Sequence, residues 1–139
     1  TAIQLHIAEL SEPLRDLYVT GYSLPTTSEF IYQNTAKELE QFFAPYNPGS
    51  SSRDFYELEI ASAGIMRGFM AKPCDVYFTM NDKLRRFLGC CFTLYHVPQS
   101  LQEQVIESVL EMDLHTTAVN LVNSVVAQAE AGFEAIMNK

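Results

Sequence analysis

All six prolines of this 139-residue chain stand at the edges of helical-period stretches. Proline lacks a backbone N–H and clashes with the preceding turn, so it opens or stops a helix but does not continue one. Ser11 as N-cap and Pro13 in the first turn open a short helix that Pro25 closes. In "TTSEFIYQNTAKELEQFFAPY" the residues Ile31, Thr35, Leu39, Phe42 and Tyr46 recur near every fourth position until Pro45 and "NPGSSS" end the run. Ser52 is placed to cap a third helix that runs to Lys72 and stops at Pro73. Thr79 and Asp82 form a capping-box variant for a fourth, which ends at "HVP" and carries Leu84, Phe87, Leu88, Cys91, Phe92 and Tyr95 along one side. Beyond Pro98, "SLQE" reads as a full capping box, and from Leu101 to Met137 only Gly132 interrupts. Strand alternation is absent, as is any repeat of roughly 20 to 50 residues. The expected fold is an all-α helical bundle, one domain over 1–139, with a central buried helix and a C-terminal dimerising helix pair.

A chain of this length buries roughly two-thirds of its unfolded surface and holds a core without metals or disulfides. A hydrophobic share of 47% against 19% charged residues places it among folding rather than disordered chains. The net charge of −8 argues against this segment gripping nucleic acid, because phosphate contacts need clustered Lys and Arg. No apolar run approaches the ~20 residues of a membrane span, and no basic-then-apolar signal segment opens the chain. Those absences imply a cytoplasmic protein with no membrane partner. The chain opens on Thr1 rather than Met, consistent with a preceding segment. Cys74, Cys90 and Cys91 form neither an even disulfide framework nor a zinc spacing, and are expected to be reduced packing thiols.

Catalytic patterns fail one by one. A carboxylate-bridged dimetal bundle needs Glu three residues before His, but Ile3, Thr93 and Met112 precede His6, His96 and His115. There is no Gly-x-Ser-x-Gly elbow, no Gly-rich phosphate loop and no His-Glu-x-x-His. Cys91 and His96 point in roughly opposite directions on a helix and make a poor thiolate–imidazole pair. No enzyme activity, cofactor or metal site is expected.

The third helix carries the most informative pattern. At ~100° per residue, Phe55, Glu59, Ala63, Met66 and Met70 gather on one side, while Ala61, Gly64, Gly68 and Ala71 form a strip of small residues opposite. The glycines lose helix propensity, which a close-packed neighbouring backbone would offset. This helix is therefore expected to be central and wrapped on both sides. Glu59 and Arg67 lie eight apart, about 12 Å along the axis, so each needs its own partner. A carboxylate in an apolar face must be paired, protonated or hydrated. Two readings stay open: Glu59 pairs with a Lys or Arg from another helix, or it lines a polar-spotted cavity for a small molecule.

The stretch "DFYELEIASAGIMRGFMAKPCDVYFTMNDKLRRFL", preceded by "LRDLYVTGYSLPTTSEFIY" and followed by "YHVP" and "AEAGFEAI", resembles the C-terminal effector domain of TetR/AcrR-type transcriptional regulators. The resemblance covers nearly the whole chain. It implies a ligand-sensing and dimerising half whose bound small molecule shifts two DNA-reading heads. The family's N-terminal helix-turn-helix of about fifty residues has no match here, so DNA binding is assigned to no residue of this chain. On this reading Phe55, Glu59, Ala63, Met66 and Met70 border one cavity, with Tyr18, Tyr22, Phe92 and Tyr95 as aromatic walls. The ligand would be apolar or aromatic, with Glu59 as a polar anchor that suits a cation.

A homodimer is expected through the last helices. Val105, Met112, Val119, Val126 and Phe133 recur every seven residues, beside a second row of Leu101, Ser108, His115, Val122, Ala129 and Ile136. An unbroken helix of that extent would reach about 55 Å, longer than the interior needs, so part should overhang, and a kink at Asp113 to Thr117 would shorten it. Gly89, Cys90 and Thr93 are small enough for the preceding helix to join a four-helix interface. Two other classes remain: a stand-alone helical adaptor with an exposed apolar groove for a protein partner, and a purely structural dimer.

Overall fold

The computed structural model describes residues 1–139 and contains seven α-helices, one 3-10 turn and no strand. The helices are α1 (Ala2–Leu10), α2 (Glu12–Ser23), α3 (Pro25–Phe43), α4 (Ser52–Ala71), α5 (Met80–Leu94), α6 (Gln99–Glu111) and α7 (Leu114–Met137), with the 3-10 turn at Ala44–Tyr46. Ser11 caps α2 by accepting the Leu14 N–H, and Thr79 and Asp82 cap α5 reciprocally. Pro25 does more than close α2: it is the first residue of α3, so the two helices join without a loop. The residues before Pro13 lack proline punctuation, yet Ala2–Leu10 form α1 and bury Leu5, Ile7 and Ala8.

Local expectations fail where two cap residues compete. Ser51, not Ser52, caps α4, because its third residue on is Asp54, whose carboxylate closes the box on the Ser51 N–H at 2.7 Å. Three residues after Ser52 stands Phe55, which offers no acceptor. The "SLQE" box does not form either, since α6 starts directly after Pro98 and leaves Ser100 inside its first turn. On α3, Phe42 is 72% exposed, and Phe43, four residues on from Leu39, is the residue aligned with the inward row. The long C-terminal run is two helices, parted at Met112–Asp113, where Met112 is extended and Asp113 caps α7 by accepting the Thr116 N–H. The seven-residue rows therefore do not run along one rod.

α4 lies against α3, α2, α5 and α1, and the expected inward residues Phe55, Glu59, Ala63, Met66 and Met70 are buried, joined by Ser62. The main core joins α1, α4, α5 and α6 through Leu5, Ala8, Met66, Met70, Leu84, Phe87, Leu88 and Ile106. The small strip on α4 is not wrapped. Ala61, Gly64, Gly68 and Ala71 are exposed, and a methyl group built on Gly64 or Gly68 would meet nothing within 4 Å. Four helices already cover the opposite side, and this chain supplies no further helix to reach the strip.

One polar knot lies inside the fold. The Lys83 ammonium, wholly buried, donates to Glu9 Oε1 at 2.5 Å and to the Lys72 carbonyl at the end of α4. Arg15 reaches the other oxygen of Glu9 at 3.1 Å, so one carboxylate ties α1 to α2 and α5. Burial opposes ionisation of Glu9, but Lys83, the Cys74 N–H and Arg15 outweigh it and hold its pKa below the ordinary carboxylate value.

Only the N-terminal half of α7 lies beside the body. Leu114 and Ala118 are buried beside α1, Val119 and Val122 are half-buried, and every residue from Asn123 onward is exposed. About 16 Å of helix, from Ala127 to Met137, thus projects beyond the residues that edge the body. No helix of the chain is long and apolar enough to cross a membrane.

Candidate functional site

A cavity of about 260 Å³ opens beside Glu59, between α1, α3, α4 and α5. α4 contributes Glu59, Ser62, Ala63 and Met66 at spacings of three and four, which puts all four on one face of the helix. α3 brings Thr35, Leu39 and Phe43 together with Glu38, whose side is exposed to solvent. Phe87, Leu88, Cys91 and Phe92 enter from α5 with Tyr95 just beyond it, Tyr22 comes from α2, and Thr1 and Gln4 come from the start of α1.

Tyr95 is held by stacking. Its ring lies 4.6 Å from that of Phe43 and 6.5 Å from that of Phe55, nearly parallel to both. The chain just after it is pinned to the end of α3: Asn47 donates to the Tyr95 carbonyl at 2.9 Å and to the Phe43 carbonyl at 2.8 Å, and its Oδ1 lies 2.7 Å from His96 Nδ1. His96 takes a positive φ of 61° to make this turn. The consequence is a fixed phenol, with the Tyr95 hydroxyl 3.2 Å from Ser62 Oγ.

Ser62 in turn donates to Glu59 Oε2 at 2.8 Å. Glu59 is 4% exposed, forms no salt bridge, and has Ser62 as its sole side-chain hydrogen-bond partner. Of the two open readings, interhelical pairing with Lys or Arg does not occur. Burial pushes the Glu59 carboxyl up to about 7, and the Ser62 hydrogen bond only partly counters it. Burial likewise pushes the Tyr22 and Tyr95 phenols and the Cys91 thiol up to about 12, with the nearby Glu59 carboxylate adding to each. Glu59 is therefore the buried group here whose charge changes near neutral pH.

Six of the nine expected ligand-site residues meet at this cavity: Tyr22, Glu59, Ala63, Met66, Phe92 and Tyr95. The other three do not. Phe55 lies behind Tyr95 as a stacking support, and Met70, one turn beyond Met66, is sealed in the main core. Tyr18, one turn before Tyr22 on α2, faces a neighbouring groove instead. Ser62 was legible as the i+3 neighbour of Glu59, and Phe43 as the i+4 neighbour of Leu39. Gln4 carried no local signal.

That groove, about 530 Å³, runs between α2, α3 and α7 and is lined by Leu14, Leu17, Tyr18, Ile31, Leu121, Val122, Val125 and Val126, among others. Gln4, Tyr22 and Thr35 line both spaces and form a shared wall. Of the expected dimer residues, Val122 and Val126 edge this groove, Val119 and Gly89 are half-buried, and Thr93, Ala129, Phe133 and Ile136 are exposed. Arg67 donates to Ser23 Oγ at 2.8 Å and ties α4 to α2. The three cysteines are unpaired, and no three His, Cys, Asp or Glu side chains gather in a way that could hold a metal ion.

No protein-family model, curated protein or solved structure matches this chain.

Proposed function

We propose that this chain is the small-molecule-sensing and dimerising domain of a cytoplasmic transcriptional regulator of the TetR/AcrR type, without catalytic activity of its own. The observation that carries the reading is the cavity beside Glu59: a helical interior that leaves about 260 Å³ open next to a buried carboxylate with no counter-ion. A purely structural core would close such a space or pair the charge. The sequence resemblance supports a partner copy and a separate DNA-reading head. The exposed apolar residues of α7, among them Val126, Phe133 and Ile136, suit a self-contact with the same helix of a second copy.

The groove along α7 favours a second reading, a helical adaptor that takes an amphipathic segment of a protein partner. A thermal-shift screen of neutral, anionic and cationic apolar compounds separates the two. The sensing reading expects hits on the unmodified protein that Ala63→Phe, which fills the cavity, loses while keeping its helical circular dichroism. A coding sequence with a basic helix-turn-helix of about fifty residues upstream of Thr1 would agree with it. A silent screen, or hits that Ala63→Phe leaves unchanged, would overturn it in favour of the adaptor.

A further inference from the structure

We infer that the site takes an organic cation with an apolar tail, the charged head against Glu59 and the tail in the groove beside α7. The inference deepens the sensing reading and rests on it.

Charge selects the head. The cavity is lined by two carboxylates, Glu59 deep inside and Glu38 at the exposed rim, and by no lysine, arginine or histidine. Thr1, at the start of α1, also lines it and adds no side-chain charge. Tyr22 from α2 and Cys91 and Tyr95 from the α5 side face Glu59 as neutral groups through the physiological range. Glu59 Oε1 receives no hydrogen bond from the protein, so one oxygen beside the cavity is free for a ligand. Among the remaining walls, beside Leu39, Met66 and Leu88, stand the aromatic residues Phe43, Phe92, Tyr95 and Tyr22, a ring type to which a weakly hydrated cation is attracted. An anionic head would meet the Glu38 carboxylate and oppose ionisation of Glu59, and a neutral one would leave Glu59 holding its proton with no charge pair formed.

The groove on the far side of a shared wall selects the tail. Gln4, Tyr22 and Thr35 are all that the structure shares between the cavity and the 530 Å³ groove, whose walls are mainly aliphatic. A molecule with its head at Glu59 and a chain passing Tyr22 would bury that chain against Leu14, Leu17, Ile31, Val122 and Val125. A compact cation without a tail would leave this surface wet.

Entry of the cation converts Glu59 from carboxylic acid to carboxylate, and the proton leaves to solvent. With the free carboxyl at about 7, affinity for the cation should rise about tenfold from pH 6 to pH 8, and binding at pH 6 should release close to one proton.

The test compares decyltrimethylammonium, decanol and decanoate by titration calorimetry, on the unmodified protein and on Glu59→Gln, at both pH values and in two buffers of different ionisation heat. The expected result is that the ammonium binds at least tenfold tighter than decanol at pH 8, that decanoate binds weakest, and that Glu59→Gln abolishes both the preference and the proton release while still binding decanol. Equal binding of ammonium and decanol, or tighter decanoate binding, would overturn the cation class and leave a sensing site standing. If none of the three binds while the compound screen finds other ligands, the cationic amphiphile is again overturned and the sensing reading survives. Silence in both experiments ends both.

Discussion

Replacing Glu59 by Gln should change how stability depends on pH more than how the protein folds. In the folded chain the buried carboxyl holds its proton up to about pH 7, against 4.5 for an unperturbed glutamate. Between those values the folded state carries a proton that the unfolded state has released. The contribution is therefore complete below the unfolded value and is lost as pH rises towards 7. At about 1.4 kcal/mol per unit, the separation amounts to roughly 3 kcal/mol, an upper figure because Glu59 borders an open cavity rather than a closed core. Glutamine keeps the Ser62 hydrogen bond and carries no charge at any pH. Glu59→Gln should thus match the unmodified protein near pH 4.5 and exceed it by about 2 to 3 kcal/mol at pH 8. Urea denaturation followed by far-ultraviolet circular dichroism, at fixed protein concentration and several pH values, measures the difference directly. Taking the difference between the two proteins cancels His6, whose pKa burial lowers and whose contribution runs in the opposite sense. Parallel stability curves for the two proteins across this range would refute the reasoning, because they would mean that Glu59 ionises at its ordinary value and is solvated.

Replacing Val126 and Phe133 together by Asp should release monomers with little loss of helix, since both side chains are largely exposed in the single chain; light scattering that finds the unmodified protein monomeric at micromolar concentration would overturn the dimer. Glu9→Ala should cost about 3 to 5 kcal/mol in urea unfolding by leaving the wholly buried Lys83 ammonium without its carboxylate, and an effect below about 1 kcal/mol would contradict the knot's role. Gly64→Ala and Gly68→Ala should each stabilise an isolated chain by up to about 1 kcal/mol, because the added methyl meets no neighbour; destabilisation would show instead that another chain packs on that strip. Cys91, its thiol pushed up to about 12, should resist alkylation at pH 8 until the protein unfolds, and native mass measurement should find no zinc and no loss of two protons at Cys90 and Cys91. Rapid labelling of Cys91, or bound zinc, would count against its burial as an inert thiol.

Element type, most of the boundaries and the inward face of α4 were legible before folding, because these depend on interactions within about one helical turn. Proline stops, the Thr79 cap and the i, i+4 spacing of Phe55, Glu59, Ala63, Met66 and Met70 act locally, and their effects survived folding. Where the local code offered two answers, as at Ser51 and Ser52 or at Phe42 and Phe43, the choice went to the residue whose partner stood at the right distance along the helix. Tertiary structure alone decided what Glu59 faces. Whether a buried carboxylate meets an ammonium or a cavity depends on side chains from helices distant in the chain, and the available ammonium, Lys83, was taken by Glu9 at the other end of α5. It also decided that Tyr18 borders only the groove while Tyr22, one turn on, stands between groove and cavity, and that Phe55 supports Tyr95 rather than bordering the cavity. The same holds for the small strip on α4: glycine and alanine spacing shows that a helix could approach closely, but only the count of helices already packed on the other side left that strip open.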